Sequence, residues 1–369
     1  MTLTRKTTHP FKTMLHGAAL ASLLLVAACG KKQESAAPAA EKPKTEFNIG
    51  WSIYAGWMPW AYAEKSGILK KWADKYGIKI NLVQVNDYVE SVNQYTAGKL
   101  DGVGVTNMDA LTIPAAGGKD TTALIMGDYS NGNDGIVMKT GKAVGDLKGQ
   151  TINLVELSVS HYLLARALEM NGMKLSDVKT VNTSDADIVS AFATPDVKTV
   201  VTWNPQLAEA KKRGTEVFDS SKIPNEIQDL MTVSTETLKA NPALGKALVG
   251  AWFETLALMQ KGDATSEAAV AEMAKLSGTD VANYKAQLAT TFLYYKPADA
   301  VAYVTGADIA KHEDLVRQFS FSKGLFGPNA TSVDAIGIEL PGGKVLGDKA
   351  NVKLRFDATF MQMAADGKL

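Results

Sequence analysis

The chain has 369 residues, with 39 basic and 39 acidic side chains, four histidines and one cysteine. Three of the basic residues (Arg5, Lys6 and Lys12) and no acidic one fall in residues 1–28, so the remainder holds 36 basic against 39 acidic residues, a net charge of −3. That balance argues against a nucleic-acid surface built on positive charge. One cysteine gives no internal disulfide, and His161 and His312 alone beyond residue 28 give no zinc-ligand spacing.

The apolar stretch from Ala18 to Ala28 is shorter than the roughly 20 residues that span a bilayer and has the size of a signal-peptide core. Val26-Ala27-Ala28-Cys29 resembles a bacterial lipobox, in which the cysteine is acylated and becomes the first residue of the exported protein. Residues 1–28 are therefore expected to be a lipoprotein signal peptide, Cys29 the lipidation point, and residues 29–46 a solvated tether containing Pro, Lys and Glu and no aliphatic side chain larger than Ala. The tether places the protein at the cell envelope, in the periplasm and anchored to a membrane.

From Phe47 onward the periodicity alternates. Phe47–Trp51 reads as a strand. Met58–Tyr76 reads as a helix opened by Pro59 and stopped by Gly77. Ile78–Val85 alternates apolar and polar residues as a half-buried strand does. Val89–Ala97 reads as a helix, Gly102–Val105 as a short strand, Met108–Ala116 as a helix and Thr122–Met126 as a strand. The run Asn131-Gly132-Asn133-Asp134-Gly135 is a loop by composition and is the expected first crossing between lobes. A second series follows: strand Thr151–Val155, helix His161–Met170 ended by Asn171-Gly172, strand Val178–Val181, helix Asp185–Ala193 and strand Thr199–Thr202. Beyond Pro242 the pattern is mainly helical, with a Gly- and Pro-rich irregular stretch at 324–347 and a last helix near 357–365. Alternating strands and helices imply an α/β fold with parallel or mixed sheets.

Trp57-Met58-Pro59-Trp60 with Ala63 and Gly67, then Ala97-Gly98-Lys99-Leu100-Asp101, resemble the first lobe of ABC-transporter solute-binding proteins of the nitrate, sulfonate, taurine and thiamine-precursor type. Asp146-Leu147-Lys148-Gly149-Gln150, Ser160-His161-Tyr162-Leu163-Leu164 and Thr202-Trp203-Asn204-Pro205 resemble its second lobe. The segments Trp51–Trp60, Asn86–Ser91, Thr106–Leu111 and Gly127–Gly135 look most like the subgroup encoded beside urea and guanidine carboxylases. The resemblance implies a hinged two-lobe periplasmic-binding-protein fold of type II, each lobe a sheet flanked by helices. Lobe 1 would comprise 47–134 and 236–369, and lobe 2 would comprise 135–235. It also implies a monomer that uses no cofactor, performs no chemistry and delivers a small-molecule ligand to an ABC permease.

Ligands of α/β sheets lie beyond the carboxyl ends of the strands. The residues there are Tyr54 and Trp57 after the first strand and Asp87 after the second. Asn107 and Asp109 follow the third and Asp128 the fourth. In the second half come Glu156, Ser160 and Trp203. The set is aromatic and acidic, without Arg or Lys. Aromatic faces attract cations, and carboxylates accept the paired N–H donors of a guanidinium, whereas a neutral urea would leave buried carboxylates uncompensated. The expected ligand is a small planar cation, guanidinium ahead of urea. The alternatives are a thiamine-pyrimidine precursor, another small organic nitrogen compound or sulfonate, or an enzyme on the same fold. Trp57 is assigned to the cleft, Trp60 and Trp51 to the core. Helix capping is the competing role for Asp87 and Asp109, and a structural place near the hinge for Asp128.

Overall fold

A computed structural model describes residues 44–369; the leader, Cys29 and most of the tether lie outside the described residues. Fourteen strands are present among them: β1 (Glu46–Trp51), β2 (Lys79–Gln84), β3 (Gly102–Thr106), β4 (Thr121–Ser130), β5 (Asp134–Met138), β6 (Thr151–Leu154), β7 (Lys179–Asn182), β8 (Thr199–Trp203), β9 (Thr215–Asp219), β10 (Gln228–Ser234), β11 (Thr291–Leu293), β12 (Gly337–Leu340), β13 (Lys344–Leu346) and β14 (Val352–Phe356). They form two sheets. The first runs β13-β12-β14-β4-β10-β3-β1-β2, with β11 added to β4; the second runs β7-β6-β8-β5-β9. Helices join the parallel pairs β1–β2 and β6–β7, as βαβ connectivity requires, whereas the parallel pair β12–β14 is joined through β13.

The expected α/β architecture is present, and its details follow from local chemistry. β1 pairs in parallel with β2 and β3, and β3 is buried along its whole length, as a strand covered on both faces must be. The single helix expected over Met58–Tyr76 is two helices, Met58–Lys65 and Ile68–Lys75. The break falls at Gly67, whose φ of +80° is left-handed and open to glycine at little cost. The helix expected over Met108–Ala116 starts as a short α turn, Asn107–Ala110, and widens to a π turn over Leu111–Ala115 that contains Pro114. The C-terminal third is not only helical. It supplies β11 and, within the stretch expected to be irregular, β12 and β13.

The chain passes from the first sheet to the second between β4 and β5, at residues 131–133, and returns between β9 and β10, at residues 220–227. The return therefore precedes the 235/236 boundary drawn from the sequence. β10, assigned above to lobe 2, lies between β3 and β4 of the first sheet and is antiparallel to both. Its residues Gln228–Thr232 are buried on both faces, so they carry none of the alternation that marks an edge strand.

The core of the first lobe is aromatic. Trp60 stacks at a tilt on Trp252, ring centres 4.9 Å apart, a pairing that contributes about 0.5–1.5 kcal/mol beyond area burial. Trp252 belongs to the apolar helix Pro242–Met259. The same helix packs against the helix Ile68–Lys75 through Gly250: a Cβ there would lie 2.5 Å from the Trp72 ring. Trp72 is held in place by its indole N–H, which donates to Glu254 at 2.7 Å. Glycine in a helix interior ordinarily costs about 1 kcal/mol relative to Ala, so Gly250→Ala in a solvated helix would stabilise. Here overpacking reverses the sign, and we expect Gly250→Ala to destabilise by about 1–3 kcal/mol in urea unfolding of the protein.

Candidate functional site

The residues following β1, β2 and β3 converge on the seam between the two sheets. Ser52, Tyr54 and Trp57 come from the loop and 3₁₀ turn after β1, Tyr88 from the helix start after β2, Thr106 from the end of β3 and Asp229 from β10; Asp134 of β5, Val159 and Trp203 face them from the other sheet, and Ile227 closes one side from the return crossing. They line a small cavity of about 20 Å³, measured as the room open to the centres of water-sized spheres. One probe-sphere volume of about 10–15 Å³ suffices for a water, so the space suits a molecule of few heavy atoms. None of the ten lining residues is Lys, Arg or His.

The aromatic rings form a continuous frame. Tyr54 meets Trp57 edge to face at 5.2 Å, Trp57 tilts against Tyr88 at 6.0 Å, and Tyr88 meets Trp203 edge to face at 5.6 Å. The last contact joins residues of the two sheets. A second joins them at the same point: the backbone N–H of Tyr88 donates to Asp185 Oδ1 at 3.3 Å. Two glycines make room for the frame. A Cβ on Gly104 would touch the Trp57 ring at 3.5 Å, and one on Gly56 would lie 2.5 Å from the Tyr54 ring and 2.7 Å from Asp128 Oδ2.

Each tyrosine of the frame is tied to a buried carboxyl. Tyr54 Oη donates to Asp128 Oδ1 at 2.9 Å, and Tyr88 Oη donates to Asp109 Oδ2 at 2.8 Å, which also accepts from Thr106 Oγ1 at 2.9 Å. Asp109 Oδ1 and Asp128 Oδ2 are fully buried and have no hydrogen-bond partner. Asp128 lies directly opposite Asp229 in the β4–β10 ladder. Asp134 accepts from Ser130 Oγ, which also contacts Ser220 Oγ at 2.6 Å, so a hydroxyl pair joins the two crossings beside the cavity.

Burial without a basic partner raises the pKa of every one of these acids. Asp109 is pushed up to about 6 by burial, against the hydrogen bonds from Tyr88 and Thr106. Asp134 is pushed up to about 7 by burial, helped by the charge of Asp109. Asp128 and Asp229 are both raised by burial, and Asp229 further by the charges of Asp128 and Asp134. Burial likewise lifts the phenols of Tyr54 and Tyr88, so both remain hydrogen-bond donors.

The nine ligand positions expected from the sequence divide as follows. Tyr54, Trp57 and Trp203 line the cavity, and Asp109 and Asp128 stand immediately behind it, bonded to its tyrosines. The other four do not line it. Asp87 caps the next helix by accepting from Glu90 N–H at 2.9 Å. Asn107 is fully buried, and its amide is saturated by Glu226 O, Glu313 Oε1 and the N–H of Gln228. Glu156 turns toward the edge strand, where it accepts from Thr180 Oγ1. Ser160 is buried within its helix start, its Oγ without a partner. The site residues outside those nine are Tyr88, Asp134, Asp185 and Asp229. Tyr88 and Asp134 lie in segments already singled out, the helix start after the second strand and the first crossing. Asp229 follows no strand in the sequence pattern and carries no such signal.

The comparisons with known proteins agree with this architecture. Residues 67–262, just over half of the chain, match the family described as NMT1/THI5 like. The chain belongs to that family. A protein of Brucella abortus (strain 2308), named as a binding protein, is 30% identical over 160 residues, which cover 43% of this chain and 48% of the relative. The chain thus spans about half the length of the curated relatives it matches. Among solved structures, the periplasmic aliphatic sulphonate binding protein SsuA from Escherichia coli aligns with a TM-score of 0.64 at 20% identity, covering 78% of this chain and 96% of that one. The periplasmic nitrate-binding protein NrtA from Synechocystis PCC 6803 aligns with a TM-score of 0.64 at 13% identity, covering 88% and 89%. The fold is that of the periplasmic binding proteins.

The buried acids set a sign for stability against pH. All their folded pKa values lie above the unfolded value of about 3.9, so their contribution is complete below about pH 4 and falls as pH rises through the folded values, about 6 for Asp109 and about 7 for Asp128 and Asp134. Thermal unfolding of ligand-free protein should show Asp229→Asn gaining on the wild type as pH rises from about 5 to about 8. A difference independent of pH would place Asp229 in solvent-like surroundings.

Proposed function

We propose that this chain is the solute-binding component of an ABC-type importer, anchored at the cell envelope through Cys29, and that it closes its two sheets around a small planar cationic nitrogen compound. Membership of the NMT1/THI5-like family and the periplasmic-binding-protein fold support the transport role. Relatives named as binding proteins favour capture over chemistry. The ligand class rests on one observation: Asp134 and Asp229 and four aromatic rings surround a cavity that has no basic lining residue.

The charge of the site separates ligand classes. A sulfonate or nitrate is met by basic residues or helix N-termini, and here it would face two lining carboxyls with two more directly behind the tyrosines. A guanidinium presents flat faces to Trp57 and Trp203 and N–H pairs to Asp134 and Asp229, which matches cation–π and forked carboxylate recognition. Urea has the same shape but leaves the carboxylates uncompensated. The small volume favours a ligand of four heavy atoms over a pyrimidine ring. Closure brings Trp203 and Asp134 of one sheet against Trp57 and Asp229 of the other, so bound ligand gains contacts that the open form lacks and shifts the population toward the closed one.

Calorimetry of the mature protein with guanidinium, urea, an aminopyrimidine, taurine and nitrate tests the reading. Guanidinium is expected to bind in the micromolar range and the anions not at all. Guanidinium affinity weaker than millimolar, or tighter binding of taurine or nitrate, overturns the ligand class. Asp229→Asn should weaken guanidinium at least tenfold, about 1.4 kcal/mol, and urea by less.

A further inference from the structure

The cavity holds more acid than one monovalent ligand neutralises. Asp128, Asp134 and Asp229 are buried at 0%, 3% and 4% exposure. Asp128 and Asp229 are cross-strand partners, and Asp134 opens β5 at the adjoining crossing. The groups that act on them from the packed elements are Tyr54 from the loop after β1, Asp109 from the turn after β3, Tyr284 from the helix Val281–Leu288, and Tyr294 and Tyr295 after β11. All are acids or phenols, and none is basic. Asp128 Oδ2 and Asp109 Oδ1 are both fully buried, and Asp128 has the Asp229 carboxyl within hydrogen-bond reach, a contact that needs a proton on one of the two. Several carboxylates cannot share such a volume in ionised form, because desolvation and mutual repulsion both favour the proton.

We propose that Asp128, Asp134 and Asp229 form a proton-exchange cluster, so that capture of a cation expels a carboxyl proton to solvent and release of the cation takes it back. This rests on the cationic-ligand reading above. The balance is simple: one carboxylic O–H breaks, its proton leaves with water, and the carboxylate left behind pairs with the entering cation. The net charge of the cavity is then the same before and after binding, and the lobes close over the site without burying an unpaired charge. Two properties follow. Affinity for a permanent cation rises with pH until the cluster ionises by itself. A neutral isostere of the same shape exchanges no proton, so proton release distinguishes guanidinium from urea independently of affinity.

The experiment is calorimetric titration of the mature, full-length protein with guanidinium chloride near pH 6, in buffers of differing ionisation enthalpy. The observed enthalpy should vary linearly with that of the buffer, with a slope corresponding to about one proton released per guanidinium, and with no dependence for urea if urea binds. Asp229→Asn and Asp134→Asn should each lower the count. Glu313→Gln, a buried acid bonded to Asn107 outside the cavity, should leave it unchanged. Tight guanidinium binding with zero slope overturns the exchange while leaving the ligand assignment standing. An infrared difference spectrum of ligand-free protein provides a readout that does not need the ligand. A protonated-carboxyl C=O band that titrates near neutrality and is diminished in Asp229→Asn, measured on variants shown by unfolding to be folded, supports the cluster even if guanidinium fails to bind. Absence of that band overturns it.

Discussion

Acidic side chains are buried at the seam of two sheets with no basic group beside them, and the architecture around the cavity answers to that constraint. An isolated carboxylate removed from water is destabilised by several kcal/mol even after relaxation. Here the load is met in part by hydroxyl donors: Tyr54 for Asp128, Tyr88 and Thr106 for Asp109, Ser130 for Asp134. The rest is met by a shift toward the neutral acid. The hydrogen bonds fix where the carboxyls point, and the rings that make them are the same rings that wall the cavity. Charge and shape are therefore set by one group of side chains rather than by two.

The strand that completes this arrangement arrives from far along the chain. β10 enters between β3 and β4 only after the second sheet has been built, and it brings Asp229 opposite Asp128. The third part of the sequence contributes again through β11, whose Thr291 accepts from Asn133 at 2.7 Å and lies 3.4 Å from the Tyr54 hydroxyl. The first crossing is thus held by β11 and by Ser220 of the return crossing. A cavity that spans both sheets is supported where the two connections run side by side. A cavity without basic lining residues is compatible with the fold, since fold places a site and side chains decide its chemistry.

Away from the cavity, a further contact crosses the sheets. Phe319 of the helix Asp308–Ser322 packs edge to face on Tyr162 at 5.2 Å, and Glu226 of the return crossing takes a two-pronged ion pair from Arg166, at 2.8 and 3.1 Å. Asn107 joins that same region through Glu226 and Glu313. Its neighbourhood is a packed polar cluster in which Glu313 Oε2 and Gln228 Oε1 lack partners.

What the sequence determined by itself was local. Alternation marked β2, and glycines and caps marked helix ends. Trp57 ends the 3₁₀ turn and walls the cavity, whereas Trp60 lies in the helix that follows and packs on Trp252; their spacing of three does not separate them, since residues three apart share a helical face. The aromatic residues at the ends of β1 and β8 were legible because a strand's end points into the cleft whichever strands flank it. The tertiary structure decided what depends on neighbours distant in the chain. Glu156 and Asn107 sit at strand ends as Tyr54 does, but Thr180, Glu313 and Gln228 claim their polar atoms. Asp229 lies within a strand, and only its pairing opposite Asp128 carries it to the cavity. Side-chain type and local period are written in adjacent residues, whereas the partner that satisfies a buried polar group is chosen by packing between elements, 24 residues away for Glu156 and 206 for Asn107 and Glu313.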